Sequence, residues 1–398
     1  MDRQERSAAP ARAANVAEQA GDPRDAFDIP DGVAYFNCAN MAPRLKSVSA
    51  AGHAAIDALA APWSVAAADW FAGTAALKGL FAGLIGALER DVALVPSVSY
   101  GIALAARNIP LRQGDNVVLL DREFPSNYYS WARAAARSGA HIRLVRATGD
   151  VPIAQAVTEA IDSRTAVVSI PQCRWTDGAF VDAARIGEAA RKRGAALVVD
   201  ASQSLGAYPL DIAECKPDFL VTVGYKWLLG PYGLGYLYVD ERWQAEGVPL
   251  EESWLHRAGS ENFAALADYP DDYQPGAARF GQGESPQFYL QPMAIAALAQ
   301  ISQWHPAFIQ RRLREWTDAL CARAAAIGYE CPQPEQRVGH MVGLRPPRSA
   351  LTEGLVERLR AEGIHVSVRD GCVRISPHLH NDEADLRRLT DALRRHAA

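Results

Sequence analysis

The sequence predicts an α/β fold: a large, mostly parallel sheet covered by helices, followed by a smaller α+β domain. Three observations predict it. Between residues 92 and 239, short apolar runs alternate with helical segments, the mark of a helix-covered parallel sheet. From about residue 307 the rhythm changes to helix, strand, helix, two strands and a last helix. The 398 residues, 49% hydrophobic and 22% charged, suffice for one large core and a second domain.

In chain order, residues 1–27 are rich in Ala, Arg, Asp and Glu and lack the apolar centre of a signal peptide; they read as a mobile or partner-draped arm. Residues 46–90 carry helical periodicity through Trp70, Phe71, Leu77, Leu80, Phe81 and Leu84. "VALVP" leads into a helix beginning near Ser97, and "NVVLL" into the helix of "DREFPSNYYSWARAAARSGA". "IRLVR" precedes a helix near 152–161, and "TAVVSI" a loop and a helix at 182–193. "AALVVD" and "DFLVTVG" complete the run. Residues 241–286 are irregular, and a long helix from about 288 breaks at Pro306. The expected division is therefore a large domain over 28–305 and a small one over 306–398.

A net charge of −5 with no basic stripe gives no case for nucleic acid. No apolar run is long enough to span a membrane. Six cysteines without a C-x-x-C pair make a zinc site or disulfide framework unexpected and suit a reducing cytoplasm. No metal is expected.

Ligands of open α/β sheets sit beyond the carboxyl ends of the strands, so what each strand delivers there matters most. The first delivers "PSVSYG", a helix start whose free N–H groups and dipole make a phosphate site at Ser97, Val98 and Ser99. The others deliver Phe124, then Gln172, then Asp200 with Gln203, and last Tyr225 and Lys226. Of 41 basic residues only five are lysines, so a lysine at this edge draws notice. Each residue alone has a plain reading: a helix cap, a packing ring, a solvated amine. Together they suggest pyridoxal 5'-phosphate (PLP), which needs a lysine amine for its Schiff base and an acid against its pyridine nitrogen. Gly230, Gly233 and Gly235 do not make the dinucleotide fingerprint.

The stretches "VVDASQSLGAYPLD", "VGYKWLLGPYGLGYLYV" and "VRISPHLHN" resemble the class V aminotransferase family of fold-type I PLP enzymes, over roughly residues 33–396. That branch includes cysteine desulfurases, kynureninases and isopenicillin N epimerase-like enzymes. The resemblance implies Lys226 as the Schiff-base lysine, Asp200 as the pyridine partner, Gln203 on the phenolate side and Phe124 stacked on the ring. It implies Arg374 as the clamp on the substrate carboxylate, Gln172 near that carboxylate or the ring oxygen, and Asn40, in "YFNCANMAPRL", on a substrate loop. Tyr225 stands where histidine is common, Val223 where serine is common, and Glu284 where a neighbouring subunit's threonine often reaches the phosphate. Cys372 lies only two residues before Arg374, which leaves no room for a mobile cysteine loop and disfavours persulfide chemistry.

The expected function is a PLP-dependent enzyme acting on an α-amino acid, first as an aminotransferase on a small amino or keto acid. A C–S lyase or β-elimination enzyme and an amino-acid epimerase are the alternatives on the same fold. A non-catalytic scaffold is the remote one. The resemblance also implies a homodimer with a shared active site.

Overall fold

The computed structural model describes residues 21–147, 151–347 and 353–397. Strand β1 is Ala34–Tyr35. The large sheet contains β2 (Val92–Val95), β3 (Asn116–Leu120), β4 (His141–Val145), β5 (Thr165–Pro171), β6 (Ala196–Asp200), β7 (Phe219–Val223) and β8 (Gly235–Val239). Its order is β2-β8-β7-β6-β5-β3-β4, with β8 antiparallel to both neighbours and the other pairs parallel.

Side-chain alternation explains why the strands read as unbroken apolar runs. Val118, Val168, Leu197, Val199 and Leu220 enter one core cluster, while Val117, Val167, Ala196, Val198 and Val221 enter another on the opposite face. Helix Asp69–Ile85 seals the first face, where Phe81 stacks on Tyr236 at 4.5 Å between ring centroids. Helices Val98–Asn108 and Pro125–Ser138 cover the second, with Trp131 fully buried. The periodicity over 46–90 belongs to two helices, Lys46–Leu59 and Asp69–Ile85.

The smaller sheet is β11-β12-β9, with β9 at Val342–Leu344, β11 at Ser367–Arg369 and β12 at Cys372–Ile375. Asp370 (φ 50°) and Gly371 (φ 73°) make the tight turn between β11 and β12. The chain breaks between helices Leu290–Trp304 and Pro306–Ala325 at His305. Strand β10 (Ile364–His365) pairs in parallel with β1, so the N-terminal segment is stitched to the C-terminal region. Residues too short for a sequence signal make that stitch.

One correction concerns the arm. Residues 1–20 lie outside the described residues, but residues 21–27, assigned above to the mobile arm, are docked. Phe27 is buried against Trp304, His378 and His380, and Arg24 reaches Asp382 and Asp385. Apolar burial of one aromatic ring outweighs the polar composition around it. Among the described residues no helix is long and apolar enough to cross a membrane.

Candidate active site

The carboxyl ends of β3, β5, β6 and β7 and the end of β2 converge on one cavity of about 250 Å³. Register brings them level: Pro171 pairs with Asp200, Asp200 with Val221, and Val223 and Val95 both with Gly235. Ser97, Val98, Ser99, Phe124, Asp200, Gln203, Tyr225 and Lys226 all line it.

Lys226 is 8% exposed. Its Nζ lies 5.6 Å from the centroid of the Phe124 ring and 5.8 Å from that of Tyr225. Among the described residues the amine makes no hydrogen bond or ion pair. Burial pushes its pKa down to about 8; the Asp200 charge opposes this and the Arg374 charge adds to it. Roughly a tenth of the amine is therefore neutral and nucleophilic at pH 7, far more than for an ordinary lysine.

Asp200 closes β6 and is buried, which raises its carboxyl above the usual range, while bonds from Ser202 and the charge of Lys226 pull it back. The N–H of Ser202 donates to its Oδ1 at 2.9 Å, fixing the carboxylate at the turn. A buried anion held this way waits for a cationic partner.

At the cup, Ser97 caps helix Val98–Asn108 by accepting from the Tyr100 N–H at 3.2 Å, and its Oγ lies 2.8 Å from that of Ser99. The N–H groups of Val98 and Ser99 remain at the helix's open, positive end, where a phosphate is stabilised. The Val98 side chain is buried, so that residue offers only its backbone. The Tyr225 ring packs on Tyr232 at 4.6 Å, both residues line the cavity, and burial first raises the Tyr225 hydroxyl's pKa.

Other expected residues fall differently. Gln203 lines the cavity, but its Nε2 donates to the Ala39 carbonyl at 2.9 Å and its Oε1 accepts from Trp227 at 3.1 Å. His340, packed edge-on to Trp227, holds the Gln203 carbonyl from behind. Gln172 is not brought into the cavity. Strand alternation turns Pro171 and Cys173 inward and Gln172 away, with its Nε2 3.5 Å from the Pro209 carbonyl. Asn40 is exposed and does not line the cavity either, since its turn is closed by its own N–H to the Asn37 carbonyl. Glu284 is exposed and outside the cavity of this chain.

Arg374, 2% exposed, touches the cavity through Trp175: Nη1 donates to the Trp175 carbonyl at 2.7 Å, and Nε to Ser367 at 3.1 Å. Among the described residues no carboxylate pairs with it. Burial, then the Arg369 charge, pushes its pKa down to about 10. A buried guanidinium without an anion is a site for one.

Sequence reasoning missed Glu123, Trp175 and Tyr232, all of which line the cavity, as does Cys173, whose adjacency to the site was readable two residues beyond Pro171. Trp175 gained its place through contacts: its ring meets Phe124 edge-on at 5.5 Å and its indole N–H donates to the Arg122 carbonyl at 2.9 Å.

These residues fit PLP. A partly neutral amine is free to be the tether, a fixed buried carboxylate suits a protonated pyridine nitrogen, an aromatic face stands beside the amine and a helix start suits the phosphate.

Comparison with known proteins gives the same reading. Over residues 64–389 the chain matches the family described as Aminotransferase class-V. It is 29% identical over 320 residues to an uncharacterised aminotransferase, YcbU, of Bacillus subtilis (strain 168), covering 79% of this chain and 81% of the relative. It is 29% identical over 325 residues to isopenicillin N epimerase of Streptomyces clavuligerus, covering 78% and 81%. Among solved structures, the cystine C–S lyase C-DES with its product cysteine persulfide superposes with a TM-score of 0.81 at 21% identity, covering 92% of this chain and 98% of that one. At that identity the likeness shows the fold. The chain belongs to the class V aminotransferase family, and its cofactor is pyridoxal 5'-phosphate.

Proposed function

We propose that this enzyme is an aminotransferase that passes the amino group of a small α-amino acid to a keto acid. The observation that carries it is Lys226: a buried amine with its pKa pushed down to about 8, set between two aromatic rings in one cavity with Asp200. Arg374 binds the substrate carboxylate, which orients the α-carbon toward that amine. Lys226, once displaced as tether, takes the α-proton as general base and returns it at a neighbouring carbon. When bound, PLP supplies an electron sink for the pair left by that proton, and the Asp200 carboxylate keeps its ring nitrogen protonated.

Cys372 supports this choice over sulfur transfer. It sits beside the tight Asp370–Gly371 turn and lines a different cavity, with Arg345 and Asp177. The expected result for purified, PLP-loaded enzyme given single amino acids without keto acid is conversion of the bound cofactor to its amine form, stopping after one equivalent. Continued ammonia release would replace transamination by elimination, and loss of optical activity without cofactor conversion would replace it by epimerisation.

The working unit is proposed to be a homodimer with a shared site. Tyr232, 68% exposed on the cavity wall, and the exposed Glu284 segment are what a second copy would cover. Light scattering should give twice the 43.1 kDa chain mass; a monomer at micromolar concentration would exclude the shared site. All six cysteines are free, which supports a cytoplasmic location.

A further inference from the structure

Glu123 lies at the end of the β3 loop, one residue before the stacking ring, and lines the Lys226 cavity. Its two carboxyl oxygens have different surroundings. Oε1 accepts the Phe124 N–H at 2.6 Å, at the start of the helix that carries that ring. Oε2 is shut off from solvent and has no partner. Asn127, a turn further on, has its Oδ1 held by Ser169 at 2.7 Å and Trp131 at 3.2 Å; its Nδ2 has no partner of its own and pulls toward the ionised carboxyl, as does the Phe124 N–H, but burial outweighs both. The charge of Asp200 faces the same space and opposes a second anion.

We propose, resting on the PLP assignment above, that Glu123 is a positioning residue that works as a neutral carboxylic acid: it holds Phe124 against the cofactor ring through Oε1 and leaves Asp200 as the sole carboxylate serving the ring nitrogen. A proton on Oε2 removes a charge from the enclosed space and turns that oxygen into a donor. Burial first, and then Asp200, raises the Glu123 carboxyl to about 8, in line with this state at neutral pH. The other titratable groups on the cavity wall are Lys226, Tyr225, Tyr232 and Cys173; Arg122, next in the chain, is occupied by Asp370.

The test compares wild type, Glu123→Gln and Glu123→Ala. In cofactor-free protein, infrared difference spectra between acid and alkaline pH should contain a protonated-carboxyl band in wild type at pH 7 that is absent in Glu123→Gln. Glu123→Gln keeps an oxygen for the Phe124 N–H and no charge, so its PLP affinity should stay within about threefold of wild type. Glu123→Ala strands that N–H and should lose about tenfold or more. A Glu123 carboxylate already ionised at pH 7, or a Glu123→Gln variant as weak as Glu123→Ala, would overturn the proposal. Failure of the PLP assignment would look different: no visible band in any of the three proteins, with the infrared band still present.

Discussion

Lys226→Ala is expected to lower turnover by on the order of 10³–10⁴-fold, because one substitution removes both the tether and the general base. After borohydride treatment, wild type should carry PLP covalently and the variant should carry none. Stability should hold or rise, since the substitution removes a buried amine that is charged for part of the time in a desolvated site. The pH dependence has a definite sign. Only the neutral amine attacks, so covalent uptake of PLP by cofactor-free protein should rise with pH and level off just above about 8. An ordinary lysine, with a pKa near 10.4, would keep climbing past about pH 9. A profile that climbs there would remove the depressed amine from the account, and full turnover by Lys226→Ala would remove its catalytic role.

Arg374→Gln should be nearly as damaging to kcat/KM and almost harmless to the fold. The loss of a bidentate, desolvated carboxylate contact costs about 2–5 kcal/mol, or roughly 30- to 5,000-fold in kcat/KM. Most of this should fall on KM, because the carboxylate is held equally before and during proton transfer. Arg374→Lys should recover little, since an ammonium offers no planar fork. The unfolding temperature should move only slightly: two hydrogen bonds are lost, to Ser367 and Trp175, and so is a buried cation with no carboxylate partner among the described residues. The telling comparison is an amino acid against its decarboxylated amine. Wild type should prefer the acid strongly, and Arg374→Gln should hardly distinguish them. A variant that keeps the preference would place the carboxylate elsewhere.

Much of this site was readable along the chain because parallel strands end where ligands bind. The last residues of apolar runs, Asp200 and the segment through Lys226, could be marked as one edge without knowing the strand order. The helix start at Ser97 was equally plain, since small residues after a strand announce a cap and its free N–H groups. Gln172 shows where that logic stops: it follows a strand end, but alternation turns it toward Pro209. Gln203 shows a second limit, because Ala39, Trp227 and His340 all claim it from distant parts of the chain.

The sequence by itself determined the fold class, the family and the cofactor that goes with it, and marked Lys226 and Asp200 as the tether and acid proposed here. Local patterns suffice for these, since strand period, helix caps and residue chemistry act over a few residues. Only the tertiary structure decided the state of the groups. Burial from all sides depresses Lys226 and raises Glu123. The carbonyl of Trp175 holds Arg374 from 199 residues away. Residues 21–27 are packed rather than loose because Trp304 and His378 meet Phe27 there. Desolvation and long-range pairing depend on what the folded chain brings together, and no single stretch of it carries that.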